Sequence, residues 1–415
     1  MAKVGVRQPP VGARDLLPLA VAKKQWVEER LQGVFRRWGY HRIITPTLER
    51  LETLTAGGAV QPSAVMQLRD RQGDVLGLRP ELTASIARAA ATRMADSALP
   101  QRLFYSANVF RETRQGHEFF QTGVELLGAA GWLADIEVML VMADCMNALP
   151  LPGWTLILGE VGLTESILDT IAPSARASVR KALVQLDRVY LETADLSERD
   201  RQCALQLFDL RGTPERVLSQ LKALPLSLHQ GRVRHLRQVC DILSDRGLSV
   251  VLDLSLIQPF AYYTGVVFEA TCEGERLGLG GRYDNLFSLY SPDRLQRPGI
   301  GFSLTLETLL RLMQVSGSLP TQLVEATHLL VPLESAAVPA VLELAARWRH
   351  VSDDRESKRV EIELRGPFDC GAAERSTEEI TTTARSRGID EIVWVQADGT
   401  FHATSAQLPE GVTIS

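Results

Sequence analysis

Residues 104–128 read FYSANVFRETRQGHEFFQTGVELLG. Gln121, Gly123 and Glu125 alternate with Thr122, Val124 and Leu126, the period of two that sends one set to each face of a strand. The run from Val124 to Leu127 is apolar apart from its glutamate. An ionised carboxylate on a buried strand is costly unless a cation or an N–H group pairs with it. Two readings fit. Either Glu125, with Gln121 and Arg111, receives a cationic or N–H-rich ligand, or the strand lies at a sheet edge and its polar face meets water.

The chain of 415 residues is long enough for two or three domains with their own cores. It is 45% hydrophobic and 23% charged, the balance of an ordinary soluble protein. A net charge of −5 gives no overall attraction to nucleic acid. The five cysteines are scattered and never form CxxC, which argues against a disulfide framework or a zinc site and fits a reducing cytosol. The first fifteen residues hold no apolar core of signal-peptide length, and no 18-residue apolar run follows. The expectation is a cytoplasmic protein without membrane association, metal or cofactor.

Pro18 opens an amphipathic helix in which Val27, Leu31, Val34, Phe35 and Trp38 share a face, and Gly39 stops it. YHRIITPTLE (40–49) reads as a strand interrupted by Pro46. Residues 64–78 read as a hairpin turning at RQGD, after which Arg79-Pro80-Glu81-Leu82-Thr83 opens an Ala-rich helix (82–94). Glu81 and Thr83 there have an ordinary explanation as helix caps. An apolar helix (133–148) and the strand WTLILG follow, and from about 163 to 249 the chain is helical and charged, with no recognisable chemistry. VVLDLSL (251–257), YYTGVVFEA (262–270) and GIGFSLTLETLL (299–310) read as strands, the last running into a helix, with LGLGGRYDNL (277–286) between. Paired aromatics such as Tyr262-Tyr263 on a strand are commonly core. After a linker, residues 326–415 alternate strand and helix as a small α/β domain with an Asp398-Gly399 turn.

The FR, loop, FxQxGxExxG arrangement of the opening stretch resembles motif 2 of class II aminoacyl-tRNA synthetases in the histidyl form. Residues 40–49 are similar to motif 1, YYTGxxFE to the histidine-specific motif, and GGRYD with GxGF to motif 3, so the resemblance spans residues 1 to 310. It implies an α+β fold: a class II antiparallel sheet flanked by helices over residues 1–318, a helical insertion at about 163–249, and a degenerate anticodon-binding domain at 326–415. It implies a homodimer through motif 1. It also implies a histidine pocket, in which Glu81, Thr83 and Gln121 take the α-ammonium group. Glu125 and Tyr263 hold the imidazole, Tyr262 packs nearby, and Arg111 faces the carboxylate or a nucleotide phosphate.

The same resemblance exposes losses. Amino-acid adenylation needs cations aimed at charge developing on phosphate. Thr308 stands where the motif 3 arginine contacts ATP, Gln258 where the catalytic arginine stands, and Ala261 where an aspartate stands. The loop from Arg111 to Gln121 is shortened, and its basic run becomes Gln115-Gly116-His117. Residues 322–415 carry nine Lys and Arg against sixteen Asp and Glu, a poor surface for tRNA, although Arg355-Lys358-Arg359 is a local basic run. The family with this profile is the regulatory subunit of ATP phosphoribosyltransferase. The expectation is therefore a non-catalytic chain that pairs with a short catalytic subunit in the first step of histidine biosynthesis and binds L-histidine as feedback ligand, without nucleic acid. A divergent histidyl-tRNA synthetase is the alternative.

Overall fold

The structure, a computed structural model, describes residues 8–58, 60–113, 116–151, 153–221, 230–257, 261–321, 328–349, 360–363 and 376–406. Two compact units divide between Leu319 and Pro320.

The first unit begins with α1 (Pro18–Arg37), which carries proline in its first turn. Its spacing buries Val27, Leu31, Val34 and Phe35 on one side, and the chain leaves it through Gly39 at φ +77°. β1 (His41–Arg42) and β2 (Leu48–Arg50) are separate strands with Pro46 between them, because proline cannot donate to a ladder. After α2 (Leu51–Thr55), β3 (Gln67–Arg69) and β4 (Val75–Leu78) form the expected hairpin and join β2 in a three-stranded sheet. α3 (Thr83–Thr92) leads to the long hairpin of β5 (Gln101–Thr113) and β6 (Gly116–Leu127). Next come α4 (Trp132–Asn147) and β7 (Trp154–Glu160).

The charged region holds α5 (Val161–Leu168), α6 (Pro173–Val184), α7 (Arg188–Thr193), α8 (Glu198–Asp209), the short β8 (Arg211–Gly212), α9 (Pro214–Leu221) and α10 (Gln230–Asp245). β9 (Val250–Asp253), β10 (Val266–Cys272), β11 (Glu275–Arg282), α11 (Leu286–Tyr290), β12 (Gly299–Thr305) and α12 (Leu306–Val315) complete the unit. The main sheet has nine strands in the order β1-β5-β6-β12-β11-β10-β7-β9-β8. Pairing is antiparallel from β5 through to β7, and β1 and β9 pair in parallel with β5 and β7.

Two of the strand readings need correction. The run VVLDLSL leaves the sheet at Asp253, whose carboxylate accepts from the Ser255 N–H and hydroxyl and so forms a turn. Tyr262 and Tyr263 precede the strand, because the Thr264 N–H is taken by the Arg282 carbonyl (2.7 Å) before β10 begins at Val266.

One face of the sheet packs Val124, Leu126, Phe302 and Leu304 against α1, α4 and α12. The other carries Leu103, Tyr105 and Leu127, and beneath α3 the tyrosines 262, 263 and 283. β6 runs between β5 and β12, with Glu125 opposite Gly301 and Gln121 opposite Thr305. Glu125 is 1% exposed. It therefore belongs to an interior strand, and the reading of a water-facing edge falls.

The second unit contains β13 (His328–Pro332), α13 (Val338–Arg349), β14 (Val360–Ile362), α14 (Thr377–Ser386), β15 (Glu391–Val395) and β16 (Phe401–Ser405). Its sheet order is β14-β13-β15-β16, with only β16 antiparallel. Ser376 and Glu379 form a capping box at the start of α14. The basic run Arg355-Lys358-Arg359 lies outside the described residues.

Candidate functional site

The α3 N-terminus supplies Glu81 and Thr83. Glu81 is buried, and its carboxylate accepts the N–H groups of Thr83 (2.5 Å) and Ala84 (2.9 Å), so the capping role is real. Thr83 does not cap. Its hydroxyl donates across to Glu125 Oε1 (2.7 Å), bringing α3 onto β6. Arg111, near the far end of β5, donates Nε–H to the Pro80 carbonyl (2.6 Å) and so lies beside Glu81.

Glu81, Thr83, Arg111, Gln121, Tyr262 and Tyr263 all line one pocket, and Glu125 is bonded at its wall. The pocket has a cavity of about 10 Å³, room for roughly one water. The rings of Tyr262 and Tyr263 meet edge-on at 4.9 Å and those of Tyr262 and Tyr283 at 5.9 Å, so the three phenols pack on one another at the pocket. Arg111 is the one cation among the described lining residues.

Tyr283 was not among the residues singled out from the sequence. Its hydroxyl donates to Glu125 Oε2, leaving both carboxylate oxygens satisfied. The signal was present in GGRYD, where the glycines drew the attention. Glycine at 301 has a separate purpose: a side chain there would overlap the Glu125 carboxylate and the Val124 carbonyl.

Burial dominates the electrostatics. It pushes the Glu125 carboxyl up to about 8, against the opposing hydrogen bonds from Tyr283 and Thr83. Burial also raises Glu81, opposed by the α3 N–H groups and by Arg111. The phenols of Tyr105, Tyr262, Tyr263 and Tyr283 are raised for the same reason and stay neutral donors. The site thus offers carboxyl and hydroxyl groups in a dry, aromatic enclosure, a chemistry suited to an ammonium group and a nitrogen heterocycle.

It is poorly suited to polyphosphate. Thr308 brings no charge to α12, and Glu307 next to it accepts the Phe120 N–H (2.9 Å). β5 and β6 stay paired out to Thr113 opposite Gly116, so little chain remains for a phosphate-gripping loop. Ala261 is exposed and neutral, while Gln258 and Gln115 lie outside the described residues. Among the described residues no cluster of His, Cys, Asp and Glu fits a metal ion.

A family model for histidyl-tRNA synthetase matches residues 12–309. Fold and site together therefore define a class II synthetase-like body of the histidyl type. The solved structure of an ATP phosphoribosyltransferase regulatory subunit/histidyl-tRNA synthetase from Bacillus halodurans superposes with TM-score 0.79 at 26% identity, covering 95% of this chain and 99% of that one. Histidyl-tRNA synthetase from Nostoc sp. PCC 7120 shares the fold at TM-score 0.76 and 20% identity, over 97% and 98% of the two chains. An ATP phosphoribosyltransferase regulatory subunit from Synechococcus sp. (strain JA-3-3Ab) is 54% identical over 412 residues, 97% of this chain and 95% of that relative. The chain belongs to the family of ATP phosphoribosyltransferase regulatory subunits, non-catalytic relatives of histidyl-tRNA synthetase.

Proposed function

We propose that this chain is the histidine-sensing subunit of a two-component ATP phosphoribosyltransferase. It pairs with a short catalytic subunit, supports the first step of histidine biosynthesis and makes that step responsive to histidine. The observation that carries the reading is the pairing of an intact, buried carboxyl pocket around Glu125 with an uncharged Thr308. Glu81, Thr83 and Gln121 receive the ammonium group, Glu125 with Tyr263 the imidazole, Tyr262 packs on it, and Arg111 meets the carboxylate. Tyr283 joins this set through Glu125.

Self-association through motif 1 is supported by Ile44 and Leu48, which flank Pro46 and are 79% and 45% exposed. A cytoplasmic location fits a biosynthetic partner, and no described helix is long and apolar enough to cross a membrane.

Proton bookkeeping supplies the test. In the complex Glu125 and the imidazole share one proton. Free Glu125 keeps its proton up to about pH 8, and free histidine has an imidazole pKa of about 6.5. Binding is therefore proton-neutral between those values. Above pH 8 it must take up one proton for the Glu125–imidazole pair and, as the free α-amino group also deprotonates, up to a second for the ammonium, so affinity falls by about tenfold or more per pH unit. Titration calorimetry at pH 7 and pH 9, in buffers of different ionisation enthalpy, reads both quantities. Absence of binding heat at pH 7, for the chain alone and with its catalytic subunit, would overturn the reading.

The family model's own name favours a second reading, a divergent synthetase. Pyrophosphate exchange with histidine and ATP separates the two. Each missing oriented donor costs about 10²–10³ in rate, so exchange at background is expected, and turnover well above it would favour the synthetase.

A further inference from the structure

Two short segments serve two cavities at once. Tyr262 and Tyr263 line the pocket just described, and the next residues, Thr264 and Gly265, line a second cavity of about 240 Å³. Tyr283 holds Glu125, and its neighbours Arg282 and Asp284 line that same second cavity. Arg282, the last residue of β11, reaches Asp135 of α4, while Tyr283, the next residue, reaches the pocket.

The far wall of the second cavity is α10, the last helix of the charged region. Asp135 of α4, fully buried, accepts Arg282 Nε–H at 2.8 Å through one oxygen and meets His235 Nε2 of α10 at 2.6 Å through the other. Arg232 of α10 pairs with Glu160 and also donates to the Thr264 carbonyl (3.2 Å). Arg282 Nη1 holds Asp284 (3.0 Å). Each carboxylate lining the cavity therefore has a cationic or imidazole partner, which marks this place as a joint between elements rather than a receptor for a further charge. The two segments are tied to each other as well. The Thr264 N–H donates to the Arg282 carbonyl (2.7 Å), and the Asp284 N–H donates to the Thr264 hydroxyl (3.0 Å).

We propose that Thr264–Gly265 and Arg282–Asp284 form a joint that couples occupancy of the Glu125 pocket to the docking of α10, so that histidine alters the hold of the helical insertion on the sheet. The use of histidine as the ligand rests on the function proposed above. A cavity of about 10 Å³ is too small for an amino acid, so its lining must shift on binding. Three of the lining tyrosines sit beside the joint. Tyr262 and Tyr263 precede Thr264, whose carbonyl accepts from Arg232 of α10, and Tyr283 follows Arg282, which reaches α10 through Asp135 and His235. The contacts differ in strength. Arg282 and Asp135 are a buried pair, costly to separate, so they follow a displacement instead of absorbing it. Arg232 and His235 are 43% and 29% exposed in their side chains although their partners Glu160 and Asp135 are buried, whereas Arg282 is only 8% exposed. Of the ties across the joint, those to α10 are therefore the ones water reaches, and the joint yields there first.

Hydrogen exchange on the full chain tests this. Histidine should change amide exchange across Gln230–Asp245 by about fivefold or more, and by reciprocity an Arg232→Ala/His235→Ala chain should bind histidine with an affinity shifted by a similar factor. Histidine that binds while α10 exchange and the double variant's affinity stay unchanged would overturn the joint. If histidine fails to bind the parent, the functional reading falls, and the unliganded Tyr283→Phe chain then decides the joint alone. Loss of that one hydroxyl should alter α10 exchange about fivefold while exchange in α1 stays as in the parent, and equal α10 exchange rejects the coupling.

Discussion

A Glu125→Gln chain should melt above the parent at pH 8.5 and should need ten to a hundred times more histidine for the same response. Both results follow from where the carboxyl lies. Unfolded, it has an ordinary value of 4.5; folded, burial raises it to about 8. Between those pH values the folded chain carries a proton that the unfolded chain has released, so this group's contribution to stability falls as pH rises through the window. At about 1.4 kcal/mol per pKa unit, the loss reaches a few kcal/mol by pH 8.

Glutamine is isosteric and never ionises. Its carbonyl can still accept from Thr83, and its amide can donate to the Tyr283 oxygen. Glu81, also raised by burial, is present in both chains, and because its charge adds to the upward push on Glu125, a neutral glutamine relieves Glu81 as well, in the same direction. Thermal melts from pH 5 to 8.5 should show the variant's advantage growing with pH and the two curves converging towards pH 4.5. Parallel curves would mean that the carboxyl is not held neutral by burial. The binding side is independent of the melt. A hydrogen bond to a charged partner is worth about 1.5–3 kcal/mol, a ten- to hundredfold change in affinity. It is read as the histidine concentration that half-inhibits the complex with the catalytic subunit.

The arrangement around Glu125 was largely readable from the chain because it depends on local alternation. A two-residue period placed Gln121, Gly123 and Glu125 on one face, and helical spacing placed Val27, Leu31, Val34 and Phe35 on one side of α1. Glu81 caps α3 and also lines the pocket, so the capping reading does not exclude the pocket one. What escaped were partnerships between residues far apart in sequence. Arg282 finds Asp135 across 147 positions, and His235 finds it across 100. No periodicity records such pairs, and a histidine in a charged helix looks like a solvated face. Tyr283 was hidden differently: its phenol follows two glycines whose tight backbone explained the stretch by itself.

Gly301→Ala should cost about 3 kcal/mol or more and abolish histidine binding. Gly301 pairs with Glu125 across one ladder and with Gly281 across the other. A methyl group at 301 would overlap Glu125 Oε2 and the Val124 carbonyl. Neither can give way easily. The carboxylate is fixed by Thr83 and Tyr283, and moving it strands buried polar atoms at about 1–3 kcal/mol. The carbonyl is backbone, so shifting it parts β6 from β12 at the centre of the sheet, and overpacking of that kind adds about 1–3 kcal/mol. Gly153 is the control, because a methyl there meets nothing within 4 Å and its substitution by alanine should stay within about 0.5 kcal/mol of the parent. Urea unfolding at 25 °C compares the three chains. A Gly301→Ala midpoint equal to the parent's would show that β6 and β12 can separate without cost, and the close packing of Gly301 against Glu125 would not be what fixes the carboxyl.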